Sequence, residues 1–169
     1  THQTLENLTR MNRSLLLLCK IENGQFADTR SVCLNDILAH YLDDYKEVYA
    51  YRNITVTVTT DSSFCVEMND SLVSVLVTNL LKNSFVHNID GGFIYIKITA
   101  NTFEISNTGE KPLDRERIFE RFYQGQKKEG STGLGLALVD SICKANHLKI
   151  DYTYVENRHI FTISKQNSE

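Results

Sequence analysis

Leu8, Met11, Leu15 and Leu18 recur along the opening segment at heptad spacing, Leu5, Leu16 and Cys19 widen the stripe, and Glu6, Arg10 and Arg13 face the other way. This spacing predicts a helix over 3–22, ended by Gly24. The period then shortens: a strand is expected near 30–33, a helix over about 35–51, the β-branched run Ile54-Thr-Val-Thr-Val as a strand, and another strand over 64–67 after the turn residues Asp61-Ser-Ser. Asp70 or Ser71 is placed to cap a long helix running to about His87, with Leu72, Val75, Leu76, Leu80 and Leu81 on its buried face. After Gly91-Gly92 come two strands, 93–99 and 103–106, a short charged helix over 114–121, a polar stretch over 124–132, a helix over 134–145, and strands over 149–155 and 159–164. Strands and helices mixed without strict βαβ alternation predict an α+β fold: a two-layer sandwich of a mixed sheet with helices on one face, preceded by one helix standing outside that unit.

Composition narrows the classes. The 169 residues, 41% hydrophobic and 23% charged, fit one domain plus an appendage, not a disordered or collagen-like chain. A net charge of −3 offers no basic stripe for duplex nucleic acid, so no nucleic-acid partner is expected. Cys19, Cys33, Cys65 and Cys143 show neither CxxC spacing nor a paired histidine motif; they are expected to be free, buried thiols of a reducing compartment. No apolar run approaches the roughly 18 residues of a membrane span. Because the chain opens on a threonine and not a methionine, it is expected to be a segment of a longer protein whose anchor lies elsewhere.

Three segments could carry chemistry. Asn79, Asn83 and His87 stand at i, i+4 and i+8, on adjoining turns of one helix face. Such a line is either a solvated stripe or a pair of neutral oxygen ligands for Mg²⁺, which takes few protein ligands and keeps much of its water. Asn107-Thr-Gly109 ends a strand and by itself reads as a turn. Five of the eight glycines, Gly109, Gly125, Gly130, Gly133 and Gly135, fall between 109 and 135, and Gly130-Ser-Thr-Gly133-Leu-Gly135 leads into a helix whose N-terminal N–H groups could face a phosphate. Two familiar phosphate loops do not match: Ser131 holds the lysine position of a Walker A loop, and no strand precedes the glycines as a Rossmann fingerprint requires.

Taken in order, Asn79-Leu-Leu-Lys-Asn83, Asn107-Thr-Gly109, Ile118-Phe-Glu-Arg-Phe-Tyr123 and Thr132-Gly-Leu-Gly-Leu-Ala-Leu-Val closely resemble the boxes of the catalytic ATP-binding domain of two-component sensor histidine kinases, over roughly 30–165. The resemblance assigns 27–169 to that domain. It also makes 1–26 the second helix of the preceding dimerisation and phosphoacceptor hairpin. It implies ATP and Mg²⁺ as ligands, Asn79 and Asn83 as the Mg²⁺-holding face, and His87 as their phosphate-side neighbour. Asn107 would sit under adenine, Gly109 would admit the base, and Phe119 and Phe122 would anchor a lid. Thr132, Gly133, Leu134 and Gly135 would receive the triphosphate, with Arg121, Lys127 and Lys128 as phosphate contacts and Asn83 and Arg121 as the catalytic pair. The implied activity is transfer of the γ-phosphate to a histidine outside this chain, for relay to a response-regulator aspartate. The implied setting is a homodimeric, membrane-anchored bacterial sensor with this domain in the cytoplasm.

Departures keep alternatives open. The family pattern Asp-x-Gly-x-Gly is here Asn107-Thr-Gly109-Glu-Lys111, and Ser131 replaces a glycine, with Gly130 beside it. An asparagine both donates and accepts, so an amide flip predicts weak discrimination between ATP and GTP. These changes leave a nucleotide-binding scaffold without kinase activity as one rival. An ATP-hydrolysing relative is the other, disfavoured because such enzymes carry a glutamate where this chain has Asn79, and an amide cannot take a proton from water. None of the five histidines has the context of a phosphoacceptor, so the acceptor is expected before residue 1 and the chain is expected to be monomeric, binding nucleotide without phosphorylating itself.

Overall fold

The computed structural model describes residues 2–125 and 132–166. In chain order these form α1 (His2–Glu22), β1 (Arg30–Cys33), α2 (Leu34–Val48), a single 3₁₀ turn (Ala50–Arg52), β2 (Thr55–Thr60), β3 (Cys65–Met68), α3 (Asp70–Val86), β4 (Phe93–Ile98), β5 (Thr102–Thr108), α4 (Gly135–Ala145), β6 (Leu148–Val155) and β7 (Arg158–Lys165). Five strands make one mixed sheet in the order β2-β4-β5-β7-β6, with β2 parallel to β4 and every other neighbour antiparallel. β1 and β3 pair separately as an antiparallel ribbon.

Alternation along β4 shows how the layers form. Ile94, Ile96 and Ile98 are buried while Phe93, Tyr95 and Lys97 are exposed, the period-2 signature of a sheet with one covered face. Against the covered face lie α3 and α4, with Leu72, Leu76, Leu80, Val139 and Ile142 in the same core as Ile105, Phe161 and Ile163. The expected α+β sandwich is therefore present, with two local differences. Asn69, not Asp70 or Ser71, caps α3, its Oδ1 accepting from the N–H groups of Ser71 at 2.9 Å and Leu72 at 3.4 Å. The charged stretch expected as a short helix over 114–121 forms turns instead. Its N–H groups fold back mainly over three residues (Arg117 to Asp114, Glu120 to Arg117), and Asp114 Oδ1 captures the N–H of Glu116.

Two further expectations are corrected. α1 does not stand apart: Leu18 and Ile21 are buried in the common core and α1 packs along α4, leaving Leu5, Leu8, Leu16 and Cys19 of its apolar stripe exposed. Burying two such side chains contributes about 3–6 kcal/mol before ordering costs, enough to hold a helix on a domain surface. The cysteines are not four free buried thiols either. Cys33 and Cys65 sit opposite each other in the β1–β3 ribbon and are joined as a disulfide, Cys19 is exposed, and only Cys143 is a free buried thiol, its pKa pushed up to about 12 by burial and by Asp140. Leu34 donates its N–H to the Phe64 carbonyl, so Cys33 and Cys65 form a non-hydrogen-bonded pair, the register that brings opposed side chains closest. Among the described residues no helix is long and apolar enough to cross a membrane.

Candidate functional site

A cavity of about 270 Å³ opens between α3, the start of α4, the segment leading to Gly125 and the polar face of α1. Asn79, Asn83 and His87 line it from α3, as their helical spacing requires, with Lys82 and Val86 between them. Thr132, Gly133 and Gly135 face them from the start of α4, and Leu113, Ile118 and Tyr123 supply apolar surface.

Asn79 has a defined orientation. Its Nδ2 donates to the Val75 carbonyl one turn back, at 2.8 Å, which turns Oδ1 toward α4. A Cβ on Gly135 would lie 2.9 Å from that oxygen, so the missing side chain is what leaves the Asn79 carboxamide in this orientation. Gly133 is required by conformation: its φ is +75°, and a Cβ there would meet the Phe122 backbone at 2.8 Å. Phe122 donates its N–H to the Gly133 carbonyl at 2.8 Å and itself adopts a φ of 66°, a strained value for an aromatic residue. Leu134, buried at the N-cap of α4, provides no side-chain cap; its own N–H reaches Thr132 Oγ1 at 3.3 Å. The positive end of α4, which its N-cap residue leaves without a side-chain cap, therefore opens beside the cavity, where an anion would satisfy its N–H groups.

The far end of α3 is held by groups outside the helix. Arg52 reaches from the 3₁₀ turn to the carbonyls of Phe85, Val86 (3.2 Å) and Asn88 (2.7 Å), and pairs with Asp90 at 2.9 Å. It neutralises the negative end of α3 and fixes the chain at His87. Asn107, buried at the end of β5, donates from Nδ2 to the His87 carbonyl at 3.4 Å and to the Thr108 carbonyl at 3.0 Å. Both partners only accept, so the amide has one workable orientation, with Oδ1 turned away from them. A flip would set its oxygen against two carbonyl oxygens.

Gly109 lies over a buried histidine: a Cβ there would collide with the His159 ring. Tyr152 Oη accepts from Leu113 N–H at 3.0 Å and shares a hydrogen bond with His159 Nδ1 at 2.8 Å. Burial lowers the His159 pKa, which favours the neutral ring. Tyr154 donates to the Gly109 carbonyl at 2.9 Å. These bonds tie the loop after β5 to the β6–β7 hairpin.

The expected site residues thus separate. Asn79, Asn83, His87, Thr132, Gly133 and Gly135 meet at one cavity, with Leu134 buried behind it and Asn107 attached through His87. Phe119 packs edge-on against Phe161, ring centroids 6.4 Å apart, and Phe122 is half exposed. Arg121 points away, to Glu22 of α1, in a second cleft between α1 and α4. Lys127, Lys128, Gly130 and Ser131 lie outside the described residues. Sequence reasoning did not assign Arg52, His159, Arg10, Arg13 or Lys82; Lys82 alone carried a signal, lying inside the Asn-x₃-Asn motif.

Chemically, the cavity offers the carboxamides of Asn79, Asn83 and Gln124, the hydroxyls of Ser14, Tyr123 and Thr132, the His87 ring, a helix N-terminus and the side chains of Arg10, Arg13 and Lys82, and no Asp or Glu among the described residues that line it. That set suits a polyphosphate. Among the described residues there is no group of three or more His, Cys, Asp and Glu that could hold a metal ion, so a divalent cation here would rely on amide oxygens and its ligand's phosphates.

A family model described as histidine kinase-, DNA gyrase B- and HSP90-like ATPase matches residues 68–167. The chain is 31% identical to the sensor histidine kinase RppB of Synechocystis over 80% of its length, and 32% identical to the heme sensor protein HssS of Staphylococcus aureus over 95% of its length. It spans 32% and 37% of those two relatives, about a third of each. Among solved structures, histidine kinase ThkA in complex with the response regulator protein TrrA is similar in fold, with a TM-score of 0.68 and 20% identity over 95% of this chain and 49% of that one.

Proposed function

From the premise that the chain belongs to the histidine kinase-, DNA gyrase B- and HSP90-like ATPase family, we propose that it is the catalytic ATP-binding domain of a sensor histidine kinase. It presents the γ-phosphate of Mg·ATP to a histidine supplied from outside these residues, for relay to a response-regulator aspartate. The observation that carries the reading is the fit of Gly135 against Asn79 Oδ1, which sets the amide face of α3 against the start of α4 around one cavity.

In this reading Asn107 Oδ1 accepts from the adenine amino group, and Gly109 leaves the loop after β5 open to the base. The N-terminal N–H groups of α4 and Thr132 bind phosphate oxygens, and Asn79 Oδ1 and Asn83 hold Mg²⁺. Mg²⁺, when bound, neutralises phosphate charge. Phe119 and Phe122 brace the segment over the nucleotide; Arg121, ion-paired with Glu22 in a separate cleft, would contact the phosphates only after leaving that partner, with Lys127 and Lys128 as further phosphate contacts by the family pattern. Catalysis is then positioning and charge stabilisation, and no side chain at Asn79 draws a proton from water. That favours phosphoryl transfer over hydrolysis.

We place the domain on the cytoplasmic side of a membrane-anchored, homodimeric sensor. The overlap with RppB and HssS supports a sensor role, and the ThkA–TrrA structure supports a response regulator as partner. Calorimetric titration of the chain with Mg·ATP tests the reading: saturable one-to-one binding, abolished by Asn83→Ala, is expected, whereas no binding by the unaltered chain would overturn it. Rapid ATP hydrolysis by the chain alone would favour the hydrolase rival.

A further inference from the structure

Three cationic side chains reach the cavity from outside the motifs that define it: Arg10 and Arg13 of α1 and Lys82 of α3. Arg10 and Arg13 are three residues apart, on adjoining turns of one face, and Ser14 lines the cavity beside them. They arrive there because Leu18 and Ile21 anchor α1 on α4, which turns the polar face of the helix across the mouth of the cavity. Burial and the nearby charge of Arg10 lower the Lys82 pKa, so the like charges feel one another across this space. Three cationic side chains lining one cavity give it a positive field that favours a polyanion.

We infer that α1 completes the nucleotide site, Arg10 and Arg13 forming with Lys82 a cationic wall for the terminal phosphates of the nucleotide. The inference rests on the nucleotide reading above and extends it to a helix outside the residues that the family model matches. Its consequence is coupling: a nucleotide held partly by α1 stabilises the docked position of α1, and by reciprocity undocking α1 weakens binding of the longer polyphosphates.

The decisive measurement is a set of titrations with Mg·ATP, Mg·ADP and AMP on the chain and on its R10A/R13A variant. Both positions are exposed, so the variant is expected to fold, and a thermal melt verifies this. The variant is expected to lose about tenfold or more in affinity for ATP, less for ADP, and less than about twofold for AMP, because only the longer polyphosphates reach the wall. R10K/R13K should recover much of the loss. Unchanged ATP affinity in R10A/R13A, or equal losses for ATP and AMP, would overturn the inference and leave the nucleotide reading standing. Absence of nucleotide binding by the unaltered chain would remove both.

Discussion

Gly135→Ala separates folding from binding at the contact between α3 and α4. The added Cβ would lie 2.9 Å from Asn79 Oδ1 and 3.8 Å from Asn79 Cγ, with no backbone atom outside its own helix within 4 Å. The conflict therefore falls on the far end of a side chain, which can rotate away. Gly135 is the first residue of α4 and has no positive φ, so alanine gains about 0.4–1 kcal/mol through helix propensity and a less flexible unfolded chain. Rotating the carboxamide sacrifices its bond to the Val75 carbonyl, about 0.5–1.5 kcal/mol. The two effects nearly cancel, and the melting temperature should move by no more than about 4 °C in a domain of this size. Binding should respond more strongly. If Asn79 Oδ1 contacts the charged Mg·ATP complex, misplacing it costs roughly 1.5–3 kcal/mol, a weakening of about 10- to 150-fold. Thermal unfolding and calorimetric titration of G135A, N79A and the double variant provide the assay. The double variant should be little weaker than N79A, because both changes remove one interaction. Wild-type ATP affinity in G135A, or a full further loss when it is added to N79A, would refute the proposed role of this contact.

Other outcomes follow from the same geometry. Because two carbonyls hold the Asn107 amide in one orientation, ATP should bind at least about tenfold more tightly than GTP; equal affinities in a competition titration would show that Asn107 does not read the base. Arg52→Met should destabilise the domain by about 2–4 kcal/mol in urea unfolding, since it strips charged donors from three carbonyls at the end of α3; a change under about 0.5 kcal/mol would show them solvated without cost. His159 has a lowered pKa through burial, so its contribution to stability is complete above the unfolded value of about 6.5. As pH falls below that value, the unfolded chain takes up a proton that the native chain resists, and stability declines until the native pKa is passed. His159→Gln should flatten that part of the stability–pH curve, and an unaltered slope would assign it to other groups.

The sandwich was readable because its signals are local. Ile94, Ile96 and Ile98 alternate as a half-covered strand must, and Leu72, Leu76 and Leu80 keep helical period, so each segment declares its own element. The errors came where a nearby polar group competes with that pattern. Asn69 is as good a cap as its acidic neighbour and stands one residue earlier, and Asp114 captures an N–H that a helix would leave to its own backbone.

At the candidate site, the sequence alone determined the motif order and the spacing that sets Asn79, Asn83 and His87 on one face. It also supplied the glycines that permit close approach, because helical periodicity and an absent side chain are properties of single segments. Long-range packing decided the rest. Arg52 caps α3 from a turn 33 residues away in sequence, measured to Phe85. His159 rises under Gly109 from another strand, and Cys33 meets Cys65 only through strand register. The docking of α1 is the largest such decision: Arg10 and Arg13 read as a solvated face until Leu18 and Ile21, buried on α4, turn that face toward the cavity. Periodicity tells which residues share a face, but which surface the face meets depends on apolar area supplied by other elements, and only the assembled core supplies it.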